Sequence, residues 1–253
     1  MPKFNKVLAF EGEWEFGPDH GVLTDRTTIR TILETLKNYY SSVKEFDSIP
    51  GENDTKKELK KAWKELKKAG EDEFRFIHRR TATKEGLYYY LEKCLGDNAD
   101  KGINKYNVIM FEFHGAKGSI WINSAKDKKT PTEDTETPTK DTEAQREDGE
   151  FSIESFGEEL QEKFGKSCFK GKVVYFGSCE TALDKESIKE FKKQTGASAV
   201  IAFTKTINWI ESAAFELILL DWLSHYAQPK RVKDSIEEFY PRFSKNLGMH
   251  FEI

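Results

Sequence analysis

The chain is poor in cysteine, with three among 253 residues, and the number is odd. Cys94, Cys168 and Cys179 have no paired spacing, which excludes a disulfide framework and points to a reducing, cytoplasmic setting. Charge of one sign is not in excess: 40 Lys and Arg stand against 44 Asp and Glu, a net charge of −4. That balance offers no basic footprint for nucleic acid, and it does not favour acidic substrates. Long hydrophobic runs are missing as well. The opening "MPKFNKVLAFEGEWEF" is too briefly apolar for a signal peptide. "AAFELILLDWL" carries Glu216 and Asp221 and is too short for a bilayer. A soluble cytoplasmic protein without membrane contact is expected. No glycine-rich phosphate loop occurs, since "FEGEWEFG" lacks both G-x-G-x-x-G and Walker spacing. The five histidines show no His-Glu-x-x-His pattern, so neither a metal nor another cofactor is expected.

Aromatics, by contrast, are abundant: 19 Phe, 9 Tyr and 5 Trp can fill much of a core. Five apolar, β-rich runs read as strands at 6–12, 73–79, 106–115, 172–179 and 198–204. The third and fourth are apolar almost throughout, as strands covered on both faces are. Helical patterns lie between them. One begins at Thr24 or Asp25, one fills 55–70, and the "NWIESAAFELILLDWLSHYA" segment is the most buried. Alternation of strand and helix predicts a single α/β domain over 1–253, a three-layer sandwich with a mostly parallel central sheet. "GMHFEI" (248–253) can add a last, antiparallel strand at an edge. Residues 124–149, "SAKDKKTPTEDTETPTKDTEAQREDG", contain no large apolar side chain and are expected to form a disordered acidic loop.

Two strand ends carry chemistry. The third run finishes in His114-Gly115 and the fourth in Ser178-Cys179. In an open parallel sheet, reacting groups gather at the carboxyl ends of the strands. If those strands are neighbours, an imidazole and a thiol share one rim. The thiolate is the nucleophile, and a histidine can take the thiol proton and return it to a leaving amine. The oxyanion formed on attack needs fixed donors, and the amides of Gly115 and Cys179 are the nearest. Gly177 and Ser178 permit a tight exit from the strand.

A strand ending in His-Gly, then a helix, then a strand ending in Ser-Cys resembles the caspase–hemoglobinase cysteine peptidases. "GSCETA" and the downstream "GASAVIAFTKTINWIESAAFELI" look most like the CHAT branch of caspase-like proteins. The resemblance implies that His114 is the base, Cys179 the nucleophile, and Gly115 an oxyanion donor. It implies a protein or peptide substrate, an activating partner protein in some members, and work as a prokaryotic effector in defence or cell death. In such peptidases the residue two before the nucleophile often shapes the P1 pocket. Here it is Gly177, which carries no charge. Substrate contacts are expected from Ser178, from Thr204, Trp209 and Glu211 around the "TKTINW" loop, and from Glu11 and Glu13, which favour a basic P1 side chain.

Plainer readings stand beside these. A cysteine ending a buried strand is often a small hydrophobe, and Cys94 and Cys168 are read that way. Glu112 shares the face of His114 and is expected to bond to a local donor. A catalytically inactive interaction module of the same fold is the alternative function.

Overall fold

The computed structural model describes residues 4–12, 28–47, 74–81, 83–95, 106–122 and 150–253, with the side chains of 42–47 and 94 excepted. Glu13, the caps at Thr24 and Asp25, the helix over 55–70 and the loop at 124–149 lie outside the described residues, as does the Cys94 side chain.

The apolar runs fold as strands. In chain order they are β1 (Lys6–Glu11), β2 (Arg75–Arg80), β3 (Val108–Glu112), β4 (His114–Ala116), β5 (Ser119–Trp121), β6 (Glu150–Ser152), β7 (Val173–Phe176), β8 (Ala199–Phe203) and β9 (Met249–Glu252). Six of them form one sheet in the order β2-β1-β3-β7-β8-β9, parallel except for β9, which pairs antiparallel with β8 at the edge. The remaining three form a small antiparallel sheet, β4-β5-β6.

Among the described residues there are seven helices: α1 (Ile29–Asp47), α2 (Lys84–Leu95), α3 (Ile153–Phe164), α4 (Lys185–Thr195), α5 (Trp209–His225), α6 (Pro229–Phe239) and α7 (Pro241–Leu247). Their starts follow local chemistry. Thr28, Ser152, Asp184 and Asn208 each accept a backbone N–H of the first turn through a side-chain oxygen. Pro229 and Pro241 open α6 and α7, where a missing N–H has no consequence.

Strand alternation sends successive side chains to opposite faces, and both faces are covered. Val108 and Met110 of β3 join a core with α1, α5, α6 and α7, through Leu33, Leu219, Ile236 and Leu247. Ile109 and Phe111 join a second core with α2, α3 and α4, through Leu91, Phe156 and Phe191. The second core holds a run of rings, with Phe111 stacked on Phe176 at 5.4 Å and Phe176 edge-on to Phe191 at 5.2 Å. The molecule is therefore α/β, with helices on both sides of a mostly parallel sheet.

Two boundaries differ from the sequence reading. The third strand stops at Glu112 instead of running to 115, and the fourth stops at Phe176 instead of 179. His114 and Gly115 belong to the small sheet. They pair with Trp121 and Ile120 across a two-residue turn, Lys117-Gly118, whose φ values are both positive, 51° and 82°. His114-Gly115 and Ser178-Cys179 thus lie just beyond the parallel strands and not within them.

Candidate active site

Register brings the two dipeptides together. Strands β3 and β7 pair with Val108 opposite Val173 and Phe111 opposite Phe176, an offset of 65 in both pairs (173 − 108, 176 − 111). The same offset relates Glu112 to Gly177, Phe113 to Ser178 and His114 to Cys179. Contacts show that this correspondence persists past the last ladder pair. A Cβ built on Gly177 would fall inside the Glu112 carboxylate. The Phe113 amide donates to Ser178 Oγ at 3.3 Å. A Cβ on Gly115 would meet Ser178 Cβ at 2.8 Å and the Cys179 carbonyl oxygen at 2.6 Å. Both glycines are required by close approach, since at either place a side chain would push the two segments apart.

One cavity of about 200 Å³ opens at this rim. Its walls include His114, Cys179, Gly177, Glu11 and Glu112 from the strand ends, Ile29 from α1, Ile207 from the loop after β8, and Trp209, Ser212 and Glu216 from α5. Side chains of odd number on β1 and β7 and of even number on β3 face α1 and α5, and this parity carries through to Glu11, Glu112, His114 and Cys179. Capping of α5 by Asn208, whose side chain accepts the Ile210 N–H at 2.9 Å, sets where Trp209 and Ser212 meet the cavity.

The sulfur is held from one side. The Ile207 amide donates to Cys179 Sγ at 3.4 Å, and the Ile207 carbonyl lies 3.9 Å from the same atom. Both contacts fix where the sulfur sits relative to the loop after β8. His114 reaches solvent, yet surrounding protein desolvates it enough to hold its imidazole below the usual range. A neutral imidazole is the form that accepts a proton.

The turn after the cysteine is fastened by four bonds of Glu180, which sits at φ 54°. Its carboxylate accepts from Thr206 Oγ1 at 2.8 Å and from the Lys117 amide at 3.3 Å, and its amide donates to the Lys205 carbonyl at 3.1 Å. Its own carbonyl accepts the Gly118 N–H at 2.9 Å. The hairpin bearing His114, the turn bearing Cys179 and the loop bearing Ile207 are thereby joined. Sequence reasoning missed both Glu180 and Ile207. A positive φ on a glutamate is invisible without coordinates, and Ile207 acts through its backbone.

Three carboxyl groups line the cavity in three different states. Burial pushes the Glu11 carboxyl up, but bonds from His78 Nε2 (2.6 Å), Thr28 Oγ1 (2.6 Å) and the Ile29 amide (3.2 Å) outweigh it and hold Glu11 below the usual range. Glu216 accepts from Ser212 Oγ at 2.8 Å and Tyr175 Oη at 3.0 Å, yet burial pushes it up to about 7. Glu112 is 5% exposed, and its Oε1 has no hydrogen-bond partner among the described residues. Burial, and then the charges of Glu216 and Glu11, raise it well above the carboxylate range. The local donor expected for Glu112 from the sequence is therefore not found for Oε1 among the described residues.

Of the other expected contact residues, Gly177 and Trp209 line the cavity. Ser178 is buried, with its hydroxyl engaged by Phe113. Thr204 gives its hydroxyl and amide to the Gly248 carbonyl, at 2.9 and 2.8 Å, and so fixes the turn into β9. Glu211 is exposed in the first turn of α5, outside the cavity wall. Cys168 lies ahead of β7, at the opposite end of the sheet, where burial pushes its thiol up to about 11 and makes it a poor nucleophile. Among the described residues no group of three His, Cys, Asp or Glu side chains is placed to hold a metal ion, and no helix is long and apolar enough to cross a membrane. No protein-family model matches this chain, and no curated protein is significantly similar to it.

Proposed function

We propose that the protein is a cysteine endopeptidase of the caspase-like kind, working through a His114–Cys179 dyad. The observation that carries this reading is the common 65-residue offset, which delivers an imidazole and a thiol to the wall of one cavity at the carboxyl end of a parallel sheet.

Catalysis on this reading runs in two halves. Neutral His114 takes the Cys179 proton, and the thiolate, supported by the Ile207 N–H, attacks the scissile carbonyl. A carbon–sulfur bond forms and the carbonyl oxygen becomes an oxyanion, received by the amides of Gly115 and Cys179. Collapse of this intermediate breaks the carbon–nitrogen bond, and the imidazolium protonates the departing amine. Water, giving a proton to His114, then attacks the thioester. The acid leaves and the thiol is restored. Glu180 touches no reacting atom and acts as a positioning residue.

The test is to digest a proteome-derived peptide library with the wild type, Cys179→Ala and His114→Ala, and to map new N-termini by mass spectrometry. The reading expects new termini with the wild type and a loss of at least a hundredfold in both variants. Termini that persist undiminished in Cys179→Ala, or no cleavage by any form, would count against it.

A further inference from the structure

We infer that the groove between α1 and the outer strand β2 docks a partner protein through an extended acidic segment, which adds to the central sheet beside β2. The inference stands apart from the peptidase reading, since none of its residues lines the cavity around Cys179.

Three observations carry it. Among the described residues the sheet ends at β2, whose strand partner is β1. The amides of Arg75 and Thr81 donate inward, to the carbonyls of Asn5 and Glu11 at 2.9 and 2.8 Å. Alternation along the strand then turns the backbone of Phe76 and His78 outward. Next, a groove of about 530 Å³ runs along that edge. Arg30, Glu34, Lys37 and Asn38 form one wall, spaced as a single stripe of α1, and Phe76, Ile77, His78 and Arg79 form the other. An extended peptide adds to such an edge through main-chain hydrogen bonds, and the side chains flanking it select the sequence. Phe76 and Ile77 are only half-buried, and an added strand covers them further.

Lastly, charge names the occupant. Arg30 is engaged by Glu34 at 2.7 Å, so the surplus in the groove is positive and is carried by Lys37 and Arg79. On a chain whose net charge is −4, that surplus is local. A second copy of β2 would set arginine against arginine, which is how charged outer strands avoid self-pairing. The phosphates of a nucleic acid accept hydrogen bonds but do not donate them, and would leave the outward carbonyls unanswered. An acidic peptide brings both N–H groups and carboxylates. At present Arg79 Nη1 donates to the His78 carbonyl at 2.9 Å. An incoming amide takes over that carbonyl and releases the guanidinium to a carboxylate.

The experiment titrates the full chain into fluorescein-labelled heptapeptides and reads their anisotropy. One peptide alternates Val and Glu, one alternates Val and Lys, and the third is the Val-Glu peptide with its amides N-methylated. The inference expects the first to bind about tenfold more tightly than either of the others, and Lys37→Glu to weaken it by a similar factor. The peptide comparison needs no variant to fold. Lys37 is exposed, and the melting midpoint of Lys37→Glu reports its integrity. Equal binding of the three peptides, absence of binding, or indifference to Lys37→Glu in a folded variant overturns the inference. Tighter binding of a thymidine oligonucleotide of equal charge, lost in the same variant, assigns the groove to nucleic acid and overturns it as well. Whether Cys179 cleaves any peptide leaves each of these outcomes unchanged.

Discussion

Gly115 lies so near Cys179 that a methyl group on it would sit 2.6 Å from the Cys179 carbonyl oxygen. That approach couples the hairpin carrying His114 to the turn carrying the thiol, so its loss should separate the imidazole from the thiol. Gly115→Ala is expected to lower peptidase turnover at least tenfold and to cost about 1–3 kcal/mol of stability through overpacking. Urea unfolding alongside Cys179 alkylation rates measures both. Unchanged alkylation in a folded Gly115→Ala protein would show that the contact does not position the dyad.

Gly177 makes the analogous prediction on the floor of the cavity. An alanine there must displace the Glu112 carboxylate. Gly177→Ala should therefore alter P1 preference more than it alters reactivity of the thiol. A peptide series varied only at P1 reads this directly.

Stability should fall as pH rises from about 4.5 to about 7. Glu216 titrates near 7 when folded against an ordinary 4.5, so between those values the folded state keeps a proton that the unfolded chain has released. Stability is full below the lower value and has been lost by the upper one, to the extent of roughly 3 kcal/mol. Glu112, raised in the same direction by burial and its acidic neighbours, adds to the trend. Glu216→Gln, which still offers an oxygen to Ser212 and Tyr175, should flatten the profile. Denaturation midpoints at pH 5 and pH 8 for both proteins check the sign.

Glu180 joins the hairpin, the turn and the loop after β8, and its carboxylate supplies two of the four bonds, from Thr206 Oγ1 and the Lys117 amide. Glu180→Ala should slow turnover several-fold while leaving KM for a short peptide little changed, because no substrate contact is removed. Glu180→Gln, which keeps the acceptor for Thr206, should restore part of the rate. A KM increase in place of a rate loss would assign Glu180 to binding.

How much of this was legible in the sequence follows from the length and patterning of each element. Four of the five parallel strands declared themselves because strands covered on both faces are apolar at nearly every position, as Val108–Glu112 and Val173–Phe176 are, whereas edge strand β2 carries Arg75, Arg79 and Arg80. The antiparallel β9 was readable from "GMHFEI", whose glycine adopts φ 65° ahead of the strand. The second sheet was not readable. Its strands have three residues each, too few to show alternation. Helices α6 and α7 were missed for a similar reason, since they present only Val232, Ile236 and Leu247 as buried anchors. At the site, His114 and Cys179 followed from residue type and strand order. The state of Glu112 did not, because periodicity places a side chain on a face but cannot say whether a donor stands opposite it. The same gap hid the Ile207 amide, a backbone group with no sequence signature.

The measurement that bears most directly on the central claim is the rate of carbamidomethylation of Cys179 by iodoacetamide at neutral pH, in the wild type and in His114→Ala. A thiol partnered by His114 should react faster than the same cysteine in the denatured chain, and the variant should be slower by about tenfold or more. Equal rates in the wild type, the variant and the denatured chain would mean that the two side chains, though they share a cavity, do not act on one another.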